Sequence, residues 1–454
     1  MTESSPSEIL SVIIPSIFLV FISTTLSTIY NSEKSPKWIF LEFLIIVLPH
    51  ILNVTLFFPF IKEVLFCCVF LSLLVIILAS VTEENKAGHK NNIDNGNKPF
   101  ITNVRSTINL ITVIAILAVD FKLFPKQFKK TFKYGYSLMD VGVGLFVFAN
   151  AIVAPEIKGY TNSLKKTLID ALPLIILGVG RYISTTLTDY SVSVTEYGKH
   201  WNFFMTLAAT RILSSLVLHF VKPKFSLATG IIILFLHEFI LQHGVSDYVF
   251  GDKPRDNFID ANREGIVSSL GFVGLYFLSL FMGILLNLKE SEIRSKTGLF
   301  LKLFVSTLLL FLITFVLEWK FFLSRRLANS AYCFWILSIG VMMTGLFYLN
   351  EIIQEFFYKK FNFRKLVHVP FIFDIINYNG LLFFLVANLL TGFVNMTFET
   401  LVISTRNSFL ILVVYMMVNC VVVYYLYKVQ VNLKVIIYKL SSKESLKGTK
   451  SNLV

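Results

Sequence analysis

The stretch ILAVDFKLFPKQFKKTFK (116–133) sets a carboxylate, Asp120, at the lip of an uncharged apolar run. Five lysines follow it: Lys122, Lys126, Lys129, Lys130 and Lys133. An ionisable group inside or at the edge of an apolar span costs free energy, so it is by default a candidate for chemistry. A partly desolvated carboxylate can act as a general base, and an ammonium can hold a developing oxyanion. Histidine is the rival base: His200 has an unperturbed pKa of about 6.5, better suited to proton abstraction than an ordinary aspartate.

Other polar residues are not explained by the apolar runs around them. Asp140 opens a run in SLMDVGVG, Arg181 sits deep in LGVGRYIS, and His237 and Glu238 lie together in another. Three loop strings, VTEYGKHWNFF (194–204), ANREG (261–265) and SRRLAN (324–329), gather Glu196, His200, Trp201, Asn202, Asn262, Arg263, Glu264, Arg325 and Arg326. Plainer roles compete with chemistry. Asp140 can complement a helix dipole, and Arg181 can pair with Glu238 inside the membrane. Asn388 and Asn395 fit interhelical hydrogen bonding. A lysine at a helix end snorkels, but five on one loop exceed what snorkelling needs. No GxSxG string occurs, and Cys67, Cys68, Cys333 and Cys420 lie in apolar stretches without CxxC or Cys/His spacing. A serine or cysteine nucleophile, a disulfide framework and a zinc site are therefore not expected, and no other metal site is.

The elements that carry these residues are transmembrane helices. Of 454 residues, 55% are hydrophobic and 15% charged, and the mean hydropathy is +0.71. Soluble domains carry about a quarter charged residues, and backbone in lipid must satisfy itself as helix. The expected fold class is all-α, a polytopic membrane protein of about 13 transmembrane helices. They centre near 9–30, 38–58, 64–81, 105–123, 136–154, 167–187, 201–221, 225–242, 265–287, 298–318, 328–349, 375–397 and 407–427. The whole chain, 1–454, reads as one transmembrane domain. Within it, 82–99 is expected as a flexible polar cytosolic loop and 439–454 as a basic cytosolic tail. The polar residues 1 to 8 lack a basic n-region, so the first run is expected to persist as a helix rather than a cleaved signal.

An odd number of spans separates the termini. The basic tail favours a cytoplasmic C-terminus and a lumenal N-terminus, leaving roughly two dozen Lys/Arg inside and about fourteen outside. The net charge of +13 suits anionic lipid surfaces. One loop breaks the rule: the five lysines after Asp120 fall on the lumenal side, with the three loop strings. Polar groups thus converge on one membrane face, as a substrate site requires. No nucleic-acid module is present. A lipid transporter or flippase, or a non-catalytic scaffold, would also accommodate such loops.

In order and spacing, the strings ILAVDF, FPKQF, SLMDVGVG with FVFAN, VTEYG with HWNFF, ANREGI, SRR with AN, and NGLLFFLVAN with TGFVNM resemble the glucosaminyl-phosphatidylinositol (GPI-anchor inositol) acyltransferase family, the fungal type especially. The resemblance runs from about residue 100 to about residue 427. It implies an endoplasmic reticulum membrane protein that moves a palmitoyl group from acyl-CoA to the inositol of glucosaminyl-phosphatidylinositol. It implies no bound cofactor, with acyl-CoA as co-substrate, and no obligate protein partner. The family's catalytic aspartate and lysine fall on Asp120 and Lys130. The candidates for substrate binding are Asp140, Asn150, Arg181, Glu196, His200, Trp201, Asn202, Asn262, Arg263, Glu264, Arg325, Arg326 and Asn388. Gln127 departs from the arginine usual after the proline.

Overall fold

The computed structural model describes residues 4–30, 34–82, 98–159, 163–187, 194–287, 296–361, 363 and 366–432. Its regular elements are helices, as backbone in lipid requires. Among the described residues, thirteen helices are long and apolar enough to cross a membrane. The first seven are α1 (Pro6–Ile29), α2 (Pro36–Val54), α3 (Phe58–Val81), α4 (Pro99–Ala118), α5 (Leu138–Lys158), α6 (Leu164–Leu187) and α7 (Phe203–Phe220). The rest are α8 (Pro223–Phe250), α9 (Arg263–Leu286), α10 (Lys296–Lys320), α11 (Ser330–Lys360), α12 (Gly380–Thr397) and α13 (Thr405–Lys428). The chain is a multi-pass membrane protein, and each expected span falls on one of these helices. Residues 83–97 of the polar insertion and the whole tail 439–454 lie outside the described residues.

Local signals set many helix starts. Proline occupies the first turn of α1, α2 and α4, where its missing N–H is no loss. Ser5 and Glu8 form a capping box on α1, and Ser35 caps α2. The ends were harder to read. Helix α4 stops at Ala118, not near 123, because Asp120 and Phe121 turn back onto the Leu117 and Ala118 carbonyls. Helix α11 continues to Lys360, not 349, its polar Asn350, Gln354 and Glu355 buried along the extension. The run expected at 375–397 breaks at Asn379 into a short helix, Phe371–Tyr378, and α12.

The chain forms two compact units. Among the described residues, the first comprises those up to Lys130, Ser137–Met139 and those within 342–432, and so holds α1 to α4, the end of α11, α12 and α13. Ile22, Ile29, Val75, Ala79, Phe361 and Phe363 form one of its apolar clusters. Helix α4 packs against α12 and the 371–378 helix. Its Ser106 hydroxyl donates to the Phe373 carbonyl at 2.8 Å, and the Arg105 guanidinium donates to Asn377 at 2.6 Å. The Glu42 carboxylate, 1% exposed, accepts the first N–H groups of the 371–378 helix from Phe371 and Ile372 at 2.9 and 2.6 Å. A carboxylate suits the positive end of that helix.

Among the described residues, the second unit comprises Thr131–Tyr136 and those of Asp140–Val341. Its helices meet through reciprocal notches. A Cβ on Gly274 of α9 would lie 2.6 Å from Leu234 of α8, and one on Gly230 of α8 would lie 2.8 Å from Leu278 of α9. Gly144 of α5 receives Ile336 of α11 in the same way, and Gly340 receives Phe148. Small residues at helix crossings replace the hydrophobic drive that lipid cannot supply.

Candidate active site

In the first unit, residues 119–130 fold as a chain of tight turns that α4 delivers at its C-terminal end. Asp120 N–H donates to the Leu117 carbonyl at 3.2 Å, Phe124 to Phe121 at 3.3 Å and Phe128 to Pro125 at 3.0 Å. Phe121, Phe124 and Phe128 are 0%, 2% and 0% exposed, so the segment is nailed down by three rings. The Phe128 ring sits edge-on to Phe58 at 4.7 Å and to Phe124 at 6.1 Å. The hydroxyls of Ser4 and Ser137 donate to the Gln127 and Phe128 carbonyls at 2.8 and 3.0 Å.

With the rings inward, the lysines sort themselves. Lys122, Lys126, Lys129 and Lys133 are exposed, while Lys130 is partly buried. Asp120 is also partly buried, two residues beyond the end of α4. Its Oδ2 accepts a hydrogen bond of 2.8 Å from the Asn395 amide, on α12. Such packing can hold a base and a cation in fixed positions at a membrane lip while the exposed lysines stay solvated.

In the second unit the three loop strings come together, as their shared polarity suggests. Arg325 Nε donates to Asp140 Oδ1 at 2.7 Å, and its Nη1 reaches the Glu196 carbonyl at 3.4 Å. The guanidinium also lies 5.1 Å from the centre of the Tyr197 ring. Asp140 Oδ2 accepts from the Thr131 N–H and hydroxyl at 2.9 and 2.7 Å. Burial tends to lower the Arg325 pKa, but Asp140, Tyr197 and Glu196 outweigh it and hold the guanidinium above its usual range. Burial pushes the Tyr197 phenol up, with Arg325 pulling the other way.

Glu264, fully buried, gathers arginines. Arg255 grips it with both arms at 2.6 and 3.1 Å, Arg326 reaches it at 3.2 Å, and Arg263 Nε lies 4.0 Å away. Arg263 also donates to the Lys253 carbonyl at 3.1 Å, and Arg326 to Phe132 at 2.8 Å. Burial lowers the Arg326 pKa against the pull of Glu264, and the hydrogen bond to Glu264 raises that of Arg255.

His200 occupies a third junction. Asn262 Oδ1 accepts the His200 and Trp201 N–H groups at 2.8 and 3.0 Å, which fixes the amide so that Nδ2 faces His200 Nδ1 at 3.1 Å. The imidazole Nδ1 is therefore the acceptor and the proton sits on Nε2. Gly198 makes this approach possible. Its φ is +123°, and a Cβ there would lie 2.5 Å from the Asn262 Cα. Asn202 caps α7 through the Phe204 and Met205 N–H groups and donates to the Gly178 carbonyl at 2.8 Å.

A family model, GWT1, matches residues 1–426. The chain belongs to the GWT1 family. Curated relatives agree along most of its length. A Bos taurus protein named glucosaminyl-phosphatidylinositol-acyltransferase PIGW is 34% identical over 370 residues, covering 72% of this chain and 73% of its own. A Yarrowia lipolytica protein named GPI-anchored wall transfer protein 1 is 33% identical over 355 residues, 74% of each chain. An uncharacterised Arabidopsis thaliana protein is 36% identical over 379 residues, 83% of each.

Within this GWT1-family chain, several residues stand apart from the junctions above. Asn150 is exposed, ten residues along α5 from Asp140 and so about 15 Å away at 1.5 Å per residue. Asn388 donates to the Phe384 carbonyl of its own helix at 2.8 Å. The pairing of Arg181 with Glu238 does not form. Glu238 accepts instead from the Ser330 N–H at 2.9 Å and Gln242 at 3.2 Å, capping α11, while Arg181 lies exposed on α6 near enough to Tyr197 to act on it electrostatically. Asn395 and Arg255 are the residues the sequence did not offer for a site. Asn53 and Asn395 both lie in sequons, and both amides are used internally, Asn53 on the Val12 carbonyl at 3.1 Å. Among the described residues, only Glu351, Glu355 and His368 bring three metal-ligating atoms within 4.8 Å of one another.

Proposed function

We propose that this protein is a glucosaminyl-phosphatidylinositol acyltransferase, as the Bos taurus relative is named, and that it acylates the inositol with Asp120 as general base and Lys130 as oxyanion donor. Acyl-CoA, palmitoyl-CoA in particular, is the donor and the inositol hydroxyl of glucosaminyl-phosphatidylinositol the acceptor, in the endoplasmic reticulum membrane. The observation that carries the reading is the sorting of one loop: of five lysines only Lys130 is drawn inward, on a ring-anchored segment that also holds Asp120.

The chemistry needs no covalent enzyme intermediate. The Asp120 carboxylate takes the hydroxyl proton as the inositol oxygen attacks the thioester carbon. Lys130 Nζ donates to the oxyanion of the tetrahedral intermediate. The C–S bond then breaks, and the departing CoA thiolate takes the proton from Asp120. Partial burial favours both roles, since a half-desolvated carboxylate is a stronger base and a half-desolvated ammonium a stronger donor.

His200 fits the base role less well, because its acceptor nitrogen is already used by Asn262. His200→Gln is expected to lower turnover by less than about tenfold, against the 10²–10⁴-fold that a general base contributes. A His200→Gln enzyme as inactive as Asp120→Asn would return the base assignment to the histidine. The overall reading is tested with purified protein, labelled palmitoyl-CoA and glucosaminyl-phosphatidylinositol. A product carrying label on the inositol is expected. If that lipid instead only changes leaflets in reconstituted vesicles, without acylation, the protein is a transporter.

A further inference from the structure

We propose that Asn395 is the residue that positions Asp120, fixing the carboxylate from α12 through the Asn395 Nδ2 to Asp120 Oδ2 hydrogen bond. The inference rests on the general-base reading of Asp120. Its support is independent of the sequence, which gives Asn395 only the part of interhelical glue.

The contact is 2.8 Å long and joins segments 275 residues apart. Asn395 stands two residues before the end of α12 and so has a helix, not a loop, behind it. Thr391, one turn earlier, is buried, so that face of α12 is turned into the unit; its hydroxyl donates to the Ala387 carbonyl of its own helix at 2.9 Å. Helix α12 packs on both α4, which delivers Asp120, and α13. The carboxylate orientation is thus set by a second rigid element rather than by the turns of 119–130 alone. Rigid support of this kind separates a productive geometry from one about 1 Å too loose.

The chemical type matters as much as the position. An amide donates to the carboxylate without bringing a charge, so Oδ2 is held and the basicity of the group is only partly spent. A lysine or arginine in its place would neutralise the base. A leucine would leave it unheld and harder to ionise. The titratable groups on the surrounding elements are few. Lys122, Lys126, Lys129 and Lys130 share the segment, and Glu399 and Arg406 flank the connection from α12 to α13. Tyr415 of α13 lies within electrostatic reach of Asp120 and donates to the Val113 carbonyl at 3.0 Å, and His50 of α2 is bonded to Ser16.

The test is the pH dependence of kcat for labelled palmitoyl transfer to glucosaminyl-phosphatidylinositol, in wild type, Asn395→Leu, Asn395→Asp and Asp120→Asn, each checked for thermal stability in detergent. Activity rises with pH as the base ionises. Removing the amide donor destabilises the carboxylate, so the acid limb of Asn395→Leu should move up by about one pH unit. On the acid limb its kcat should fall about tenfold, with recovery at higher pH. Asn395→Asp, which adds a like charge, should move the limb further. Should the leucine variant not fold, the aspartate variant carries the test alone. A limb that stays in place while activity drops equally at every pH would show Asn395 to be structural and overturn the proposal. An Asp120→Asn enzyme with wild-type kcat would instead overturn the base reading beneath it.

Discussion

Lys130→Ala should lower palmitoyl transfer by about 10²–10³-fold, while Lys122→Ala, Lys126→Ala, Lys129→Ala and Lys133→Ala should each leave it within a few-fold of wild type. The contrast follows from burial. The four exposed ammonium groups are solvated and screened, so their influence on a reacting carbonyl is weak. The partly buried Lys130 acts through a lower dielectric, and it rides on a segment held by Phe121, Phe124 and Phe128. Lys130→Arg keeps the charge but offers a wider fork on a longer reach, so only part of the rate should return. Initial rates at saturating acyl-CoA, normalised to folded protein, check all six variants together. An equal graded loss across the five alanine variants would mean that the loop attracts phosphate collectively and has no single donor.

Arg325→Ala should destabilise the second unit by about 3–5 kcal/mol, the cost of leaving a buried partner charge uncompensated. Arg325 is 3% exposed and Asp140 2%, and the pair ties the start of α5 to the turn before α11. Tyr332 adds a hydrogen bond of 2.9 Å from its hydroxyl to the Asp140 carbonyl. Ala328 in the same turn has a φ of +46°, a conformation that a non-glycine residue keeps only when its surroundings hold it. Arg325→Lys should rescue little, because an ammonium cannot bond Asp140 and the Glu196 carbonyl together and also stack on Tyr197. Asp140→Asn combined with Arg325→Ala should lose less than the two single losses summed, since the second change removes an already orphaned charge. Thermal unfolding in detergent reads these differences. Melting of Arg325→Ala indistinguishable from wild type would contradict the account of this pair.

The two units differ in how much of them could be read beforehand. The thirteen helices among the described residues that are long and apolar enough to cross a membrane follow from hydropathy, because lipid leaves the backbone no alternative to helix. Helix ends follow less well. The stretch NEIIQEFFYKK looks like the end of a span, yet α11 runs through it, because Asn350 donates to the Ile17 carbonyl at 2.9 Å and Gln354 bonds Thr24. Buried polar pairing of that kind leaves no periodic trace in one dimension. Asp120 is conspicuous as a charge at a lip, whereas Asn395 reads only as interhelical hydrogen bonding, because an amide near a helix end is ordinary until its partner is known. Arg255 was hidden for the same reason: nothing in GDKPRDNF distinguishes the arginine that grips Glu264 from its charged neighbours. Arg181 and Glu238 show the reverse: two conspicuous charges suggest a pair, and the fold satisfies Glu238 with a helix N–H instead.

The most direct measurement is single-turnover transfer of labelled palmitate to glucosaminyl-phosphatidylinositol by wild type and Asp120→Asn, at matched folded concentration and saturating palmitoyl-CoA. The asparagine keeps the shape of the side chain but loses its charge and its ability to take a proton. The account predicts a loss of about 10²–10⁴-fold in the chemical step with palmitoyl-CoA binding retained. Transfer at the wild-type rate would contradict it.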